Sequence, residues 1–295
     1  MLSSTRELLE TARRNVYAIG GFNVYNLEGV QAVLRAVEKH HSPAILQIHP
    51  SALIYGGLPL ISLCLEAARS SPMPIAVHLD HSTNPTDILT ALKAGVRSIM
   101  ADGSPLSYGE NLKFTKKMAD LAHGQGAAVE AEIGRISGTE DGLTVTEKEA
   151  KMTDPQQAVE FVAATGVDFL AVTIGNVHGE YKSPPRLDFV RLAKIRDLIT
   201  IPLVLHGASG LPPEMVSKSI ELGVSKFNVN TEVRMAFMDS LTQGFCVNSP
   251  QDLLEPLGEA IAAMTEVISE KLYLFGSVDK AHLHQSPYAE MLALS

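Results

Sequence analysis

IAVHLDHSTNPTDILTALKAGVRSIMAD, residues 75–102, holds one complete strand–helix–strand unit. Ile75–Leu79 is a short apolar run of the kind a buried strand requires. Pro85 suits the first turn of a helix, where its missing N–H is not needed, and the helix ends near Ala94. Arg97–Ala101, which ends in the apolar Ile99-Met100-Ala101, reads as the next strand. A strand, a helix and a second strand in this order imply parallel pairing, because parallel neighbours need a crossover connection.

The same unit repeats in both directions. Toward the N-terminus, Ala18–Val24 reads as a first strand. Leu27–His40 is a helix with Val30, Val33, Leu34 and Val37 at helical spacing. Pro43 ends it, Ala44–Ile48 is a second strand and Leu58–Arg69 a helix. Toward the C-terminus, Tyr108–His123 is a helix stopped by Gly124 and Gly126, and Ala127–Ile133 is a fifth strand. Pro155–Thr165 follows with Asp154 as N-cap, then strand six at Phe169–Ile174 and a helix at Leu187–Leu198. Leu203–Leu205 is the seventh strand, Pro212–Leu222 a helix and Lys226–Val229 the eighth strand. Helices follow from Glu232 and at Pro256–Leu272. Eight such units in about 250 residues match an α/β fold closed as a (β/α)8 TIM barrel. A doubly wound sheet would want a Gly-rich turn after strand one, and Phe22-Asn23-Val24-Tyr25-Asn26 is not one. The expected organisation is a single barrel domain over residues 1–281, with an extra C-terminal helix, and a tail over 282–295. Gly134–Lys151 is long, polar and Gly-containing and suits a mobile loop over an active site. Gly276–Ser295 reads as a surface arm.

Composition narrows the function classes. Of 295 residues, 24 are Lys or Arg and 33 Asp or Glu, giving a formal charge of −9. That balance argues against a nucleic-acid binder, which wants a basic face. The 45% hydrophobic content excludes a disordered chain. No apolar stretch reads as the roughly 18 residues a membrane span needs, so no membrane partner is expected. Met1–Tyr17 mixes Arg, Glu and Asn with Leu and reads as an opening helix rather than a signal core. Cys64 and Cys246 make neither a disulfide scaffold nor a metal motif, so the default compartment is reducing, most simply the cytosol.

Barrel enzymes carry their chemistry where strands run out into the following loops. Three exits carry a histidine: His81, His178 and His206. Each alone fits a loop hydrogen bond. Three at separate exits of one rim fit a catalytic zinc ion with an open fourth position. His78 alternates with Asp80, so it is either a group behind the ligands or a satisfied barrel histidine. His40, His41, His49, His123, His282 and His284 read as surface or packing residues. Gly207, Ser209 and Gly210 follow His206, Gly179 follows His178, and Asn228 and Thr231 end strand eight. Backbone amides there, before a helix, suit a phosphate; the plainer reading is a turn before Pro212. Asp80 precedes a candidate ligand, Glu132 faces the same rim and Glu140 lies in the long loop, where carboxylates can move protons. Asp102 either holds a second cation or caps the next helix.

Taken together, Gly21–Val24, His78–His81, Val129–Gly134, Gly138–Gly142, the His178 segment, Leu205–Gly210 and Lys226–Thr231 resemble the class II, zinc-dependent ketose-bisphosphate aldolases, which include fructose- and tagatose-bisphosphate aldolases. The resemblance runs from about Tyr17 to Ala281. It implies an aldolase joining dihydroxyacetone phosphate to an aldehyde, or cleaving the product, through a zinc-stabilised enediolate. It implies His81, His178 and His206 as zinc ligands, Asp80 as the acid at the aldehyde oxygen and Glu140 as the base at the donor carbon. Asn228 would contact that carbon's substituents. Glu132 and Asp102 correspond to acids where an alternate or second cation sits. Gly179, Gly207, Ala208, Ser209, Asn228 and Thr231 correspond to the phosphate pocket, where a monovalent cation, Na+ or K+, assists. A homodimer or homotetramer is the oligomer the family suggests. Gly20-Gly21 departs from the Pro and small residue of many members, Thr139 stands where fructose-type members carry a second Glu, and no Arg is evident for a distal phosphate. The sequence looks closer to the tagatose-like branch and to aldolase-like domains found in plants and fungi. The alternative is a non-catalytic sugar-phosphate-binding scaffold on the same fold. A Schiff-base aldolase is disfavoured, since strand six has no Lys and Lys226 opens strand eight at the end away from the exits.

Overall fold

The computed structural model describes residues 1–140, 143–145, 151–179, 184–248 and 252–284, with the backbone alone described for 137–140, 143–145 and 247–248. In chain order the strands are β1 (Ile19–Asn23), β2 (Ala44–Ile48), β3 (Ile75–Ser82), β4 (Ser98–Ala101), β5 (Ala128–Ile133), β6 (Ser137–Glu140), β7 (Leu143–Val145), β8 (Phe169–Val172), β9 (Val177–His178), β10 (Leu203–Leu205) and β11 (Val224–Val229). The helices are α1 (Thr5–Arg14), α2 (Leu27–Lys39), α3 (Pro50–Ser70), α4 (Pro85–Lys93), α5 (Tyr108–His123), α6 (Pro155–Thr165), α7 (Phe189–Leu198), α8 (Pro213–Glu221), α9 (Thr231–Asn248) and α10 (Leu254–Leu274). Strands β1-β11-β10-β8-β5-β4-β3-β2 close a parallel barrel in that order, a (β/α)8 fold.

Period-two alternation sorts each barrel strand into two faces. Outward residues such as Phe22, Leu46, Val77, Val129 and Phe227 pack against the surrounding helices in one continuous core. Inward residues fill the barrel in layers. At the bottom Ile19, Ile45, Phe169 and Val204 form an apolar floor, closed from below by Leu8, Leu9 and Ala12 of α1. One step higher along the strands the inward residues are polar and fully buried: His78, Glu130 and Lys226. Lys226 thus lies inside the barrel, in ion-paired contact with Glu130, rather than merely opening its strand.

Four expectations change. Helix α3 begins at Pro50, capped by the His49 side chain, and continues through a kink at Gly57, where φ is 57°. It is long and apolar enough to cross a membrane by length and composition, which the sequence reading missed. Here it is the crossover between barrel neighbours β2 and β3, with Leu60, Ile61, Cys64 and Ala68 buried. The segment Gly134–Lys151 contains a short antiparallel pair, β6 with β7, and β6 pairs in parallel with β9 to make a small sheet outside the barrel. Residues 141–142 and 146–150 lie outside the described residues. Strand six ends at Val172, and the chain forms β9 separately. Finally, residues 276–284 dock: the Asp279 amide donates to His40 O and the Ala281 amide to His41 O, and Ser277 and Ala281 are buried. A 3₁₀ turn spans Ala281–His284. Residues 285–295 lie outside the described residues.

Candidate metal centre

Asp80 and His81 are adjacent, so a regular strand would send them to opposite faces. The β3–β4 register shifts between Leu79 and Ser82, and His81 takes the left-handed φ of 45°. This irregularity lets Asp80 stay inward while His81 reaches the same rim. His206 follows β10 and continues the inward parity of Val204. His178 comes from β9, held on β6 through Gly138. The three rings lie close: centroids are 4.5 Å apart for His81 and His206, 5.3 Å for His81 and His178, and 6.0 Å for His178 and His206. One ligand atom from each falls within 4.8 Å of the others.

Carboxylates orient two of the rings. Asp102 Oδ2 lies 2.8 Å from His81 Nδ1, and its Oδ1 accepts from the Ser104 amide. Asp102 therefore braces His81; the N-cap of the next helix is Ser107 instead. His206 Nε2 lies 2.8 Å from Glu130 Oε1. Among the described residues, His81 Nε2 and His206 Nδ1 are left buried without hydrogen-bond partners, and so is Glu132 Oε2, 3.2 Å from His206 Nδ1. Orphaned buried polar atoms of this kind are rare and costly. Converging here, imidazole nitrogens and carboxylate oxygens form a donor set that suits a divalent ion such as zinc. His81, Asp102 and Glu132 form a second group able to hold a cation.

Charge supports the same reading. Burial opposes ionisation of Asp80, yet the neighbouring His81, Lys226, His206 and His78 hold its carboxyl far below the usual range. Burial likewise opposes a charged His81, but Asp80, the Asp102 hydrogen bond and Glu132 raise it well above an ordinary imidazole. Asp102 is buried too, and its bonds to His81 and Ser104 bring it down to about 2. The pocket is thus acidic around its imidazoles, a field that attracts cations.

Asp80 is aimed by amides. Asn23 Nδ2 donates to Asp80 Oδ2 at 3.0 Å and Asn228 Nδ2 to Oδ1 at 3.0 Å. Gln47 Nε2 donates to Asn23 Oδ1 at 3.2 Å, and a Cβ at Gly21 would sit 2.1 Å from Gln47 Oε1. Gly21 of strand one therefore makes room for the group that orients Asn23. Beside Asp80, Asn228 Oδ1 is buried with no hydrogen-bond partner among the described residues.

Among the proposed phosphate residues, Ala208 and Ser209 are buried in the loop after β10, and Thr231 opens α9. The Gly210 amide is already taken by Glu232 Oε1 at 3.0 Å. Gly179 turns the chain after His178 with φ 80°. Glu140 ends β6, and its side chain lies outside the described residues. Sequence reasoning passed over Asn23, Glu130 and Lys226, although their inward parity was readable. It also set aside His49, which is buried with its ring 6.3 Å from that of His81. Gly207 has φ 65°, and a Cβ there would meet Val177 O at 2.1 Å. Gly207→Ala should displace the strand carrying His178 and lower the melting temperature by about 2–8 °C. Calorimetry giving a wild-type transition would show that this approach is not tight.

Comparison with known proteins agrees with this geometry. Residues 3–280 match the family model "Fructose-bisphosphate aldolase class-II". The YdjI aldolase of Escherichia coli K12 is 35% identical, with a TM-score of 0.86 over 95% of this chain and 100% of its own. A candidate fructose-1,6-bisphosphate aldolase from Coccidioides immitis is 36% identical, with a TM-score of 0.90 over 95% and 99%. A fructose-bisphosphate aldolase from Campylobacter jejuni, 20% identical over 95% and 97%, shares the fold with a TM-score of 0.77. Over residues 3–280 the chain belongs to the class II fructose-bisphosphate aldolase family.

Proposed function

We propose that this protein is a zinc-dependent aldolase that makes or cleaves a carbon–carbon bond between dihydroxyacetone phosphate and an aldehyde. The observation that carries the reading is the convergence of His81, His178 and His206 beside an Asp80 aimed by two amides. A zinc ion held by these rings supplies Lewis acidity at the donor's carbonyl and hydroxyl oxygens. Glu132 serves as an alternate ligand, and Asp102 acts through His81. The donor's phosphate binds at Gly179, Gly207, Ala208, Ser209 and Thr231, with a monovalent cation beside it, which places the donor before chemistry.

The proton work belongs to the chain. Glu140 removes the proton from the donor carbon, a role drawn from the family resemblance. Asn228 offers Oδ1 to that carbon's hydroxyl. In the cleavage direction Asp80, ionised at rest, accepts the proton of the hydroxyl whose carbon becomes the aldehyde. In condensation it returns that proton to the new oxyanion. The family description and the name of the Coccidioides immitis relative support a ketose bisphosphate as the substrate class. A homodimer or homotetramer working in the cytosol on a phosphorylated small molecule completes the proposal.

The test is zinc content together with hydrogen–deuterium exchange of dihydroxyacetone phosphate in heavy water. Exchange that stops on chelation and returns with zinc is expected. A sugar-phosphate-binding scaffold would bind the compound without exchange. Glu140→Ala should keep zinc and donor binding while slowing exchange by about 10²–10⁴; undiminished exchange would remove Glu140 from its role.

A further inference from the structure

Barrel interiors are ordinarily filled by branched apolar side chains, and the floor of this one is. The layer above it is not. Glu130, Lys226, His78 and His206 are each fully buried. A buried ion pair stabilises a fold no better than apolar residues of the same volume, because both charges lose their hydration. Its presence in the barrel's middle layer therefore asks for a reason beyond packing.

The two oxygens of Glu130 face two ways. Oε2 accepts from Lys226 Nζ at 2.8 Å, with His78 Nε2 at 3.6 Å. Oε1 lies 2.8 Å from His206 Nε2. A carboxylate accepts hydrogen bonds and cannot donate them, so the ring proton of a neutral His206 sits on Nε2. The lone pair is then on Nδ1, the atom that faces His81 and Glu132. His78 is held separately, with Nδ1 2.8 Å from Ser98 Oγ.

Resting on the metal reading above, we propose that Glu130, aimed by Lys226, is the positioning residue that sets His206 with Nδ1 toward the metal. Lys226 engages one oxygen and so turns the other onto the ring. Strands β5 and β11, on opposite sides of His206's strand, thereby decide how that ligand is presented. Partners behind metal-bound histidines commonly act this way, and their loss weakens metal binding about 10–100-fold.

The arrangement makes a directional prediction. In Glu130→Gln the amide has one acceptor and one donor end. Lys226 can only donate, so it takes the carbonyl, and the NH2 turns to His206 Nε2. The ring must then carry its proton on Nδ1, the wrong atom for a ligand. Zinc affinity, measured by competition with a chromophoric chelator, should fall about 10–100-fold. In Glu130→Gln/Lys226→Met the amide is free to turn its carbonyl back to the ring. Most of the lost affinity should return, although a second buried contact has been removed. A purely structural pair would give no such recovery. Wild-type affinity in the single variant, or a double variant binding no better than the single, overturns the proposal.

Should the single variant not fold, the wild-type protein answers directly. With 15N-labelled histidine and bound zinc, NMR should find His206 protonated at Nε2, and a proton on Nδ1 overturns the proposal. Wild-type protein that takes up no zinc would overturn the metal reading itself, a result distinct from either of these.

Discussion

With His178 replaced by alanine, the protein should keep its barrel and lose metal and turnover together. The expectation follows from where the three rings are anchored. His206 sits in the buried interior against Glu130, and His81 depends on an irregular strand end braced by Asp102. His178 stands on β9, in the small sheet outside the barrel, and is partly exposed. Its truncation opens no cavity in the main core, so the melting temperature should move little. Two neutral imidazoles remain where a catalytic zinc site needs three protein ligands. Zinc affinity should fall by about 100-fold or more, beyond the loss typical of partners behind the ligands. Turnover should fall by about 10³ or more, since Lewis-acid stabilisation of several kcal/mol is removed and each 1.4 kcal/mol is tenfold. Metal analysis and steady-state cleavage on the same preparation check both. A variant that keeps stoichiometric zinc and cleaves substrate normally would take His178 out of the site.

Asp80→Asn separates proton transfer from metal binding. Asp80 contacts Asn23 and Asn228 through its two oxygens. Asparagine keeps the shape but can no longer accept the hydroxyl proton as a carboxylate does. It also presents an NH2 toward one of the two donating amides, which must turn away. Cleavage should slow by about 10²–10⁴, the usual contribution of a positioned acid or base. Zinc should stay bound, because Asp80 is not among the converging ligand groups. Deuterium exchange into dihydroxyacetone phosphate should persist, because the proposed mechanism assigns that step to Glu140. Cleavage within tenfold of wild type would show that another group handles this proton.

Much of this was legible in one dimension. Strand and helix alternation, proline at helix starts and a histidine at each of three exits are properties of near neighbours in the chain. They pointed to the barrel, to its helices within a few residues except at the start of α3, and to His81, His178 and His206 as a set. The misses share a cause. The kinked start of α3 at Pro50 and the β6–β7–β9 sheet lie in segments without clear periodicity. The segment after Gly276 looked like an arm because its anchors, the carbonyls of His40 and His41, are more than 230 residues away.

Side-chain parity along a strand is local, so the order of residues already told that His78 and Asp80, Glu130 and Glu132, and Lys226 and Asn228 would share faces. It could not tell which of them would meet. Lys226 finds Glu130 across 96 positions and Asn228 finds Asp80 across 148. Those pairings follow from how eight strands stagger as they close. Nor could alternation deliver Asp80 and His81 to one rim, since consecutive side chains diverge. The register slip against β4 and the left-handed backbone at His81 accompany that placement, and the slip is a relation between two strands, which the order of residues within one strand does not carry.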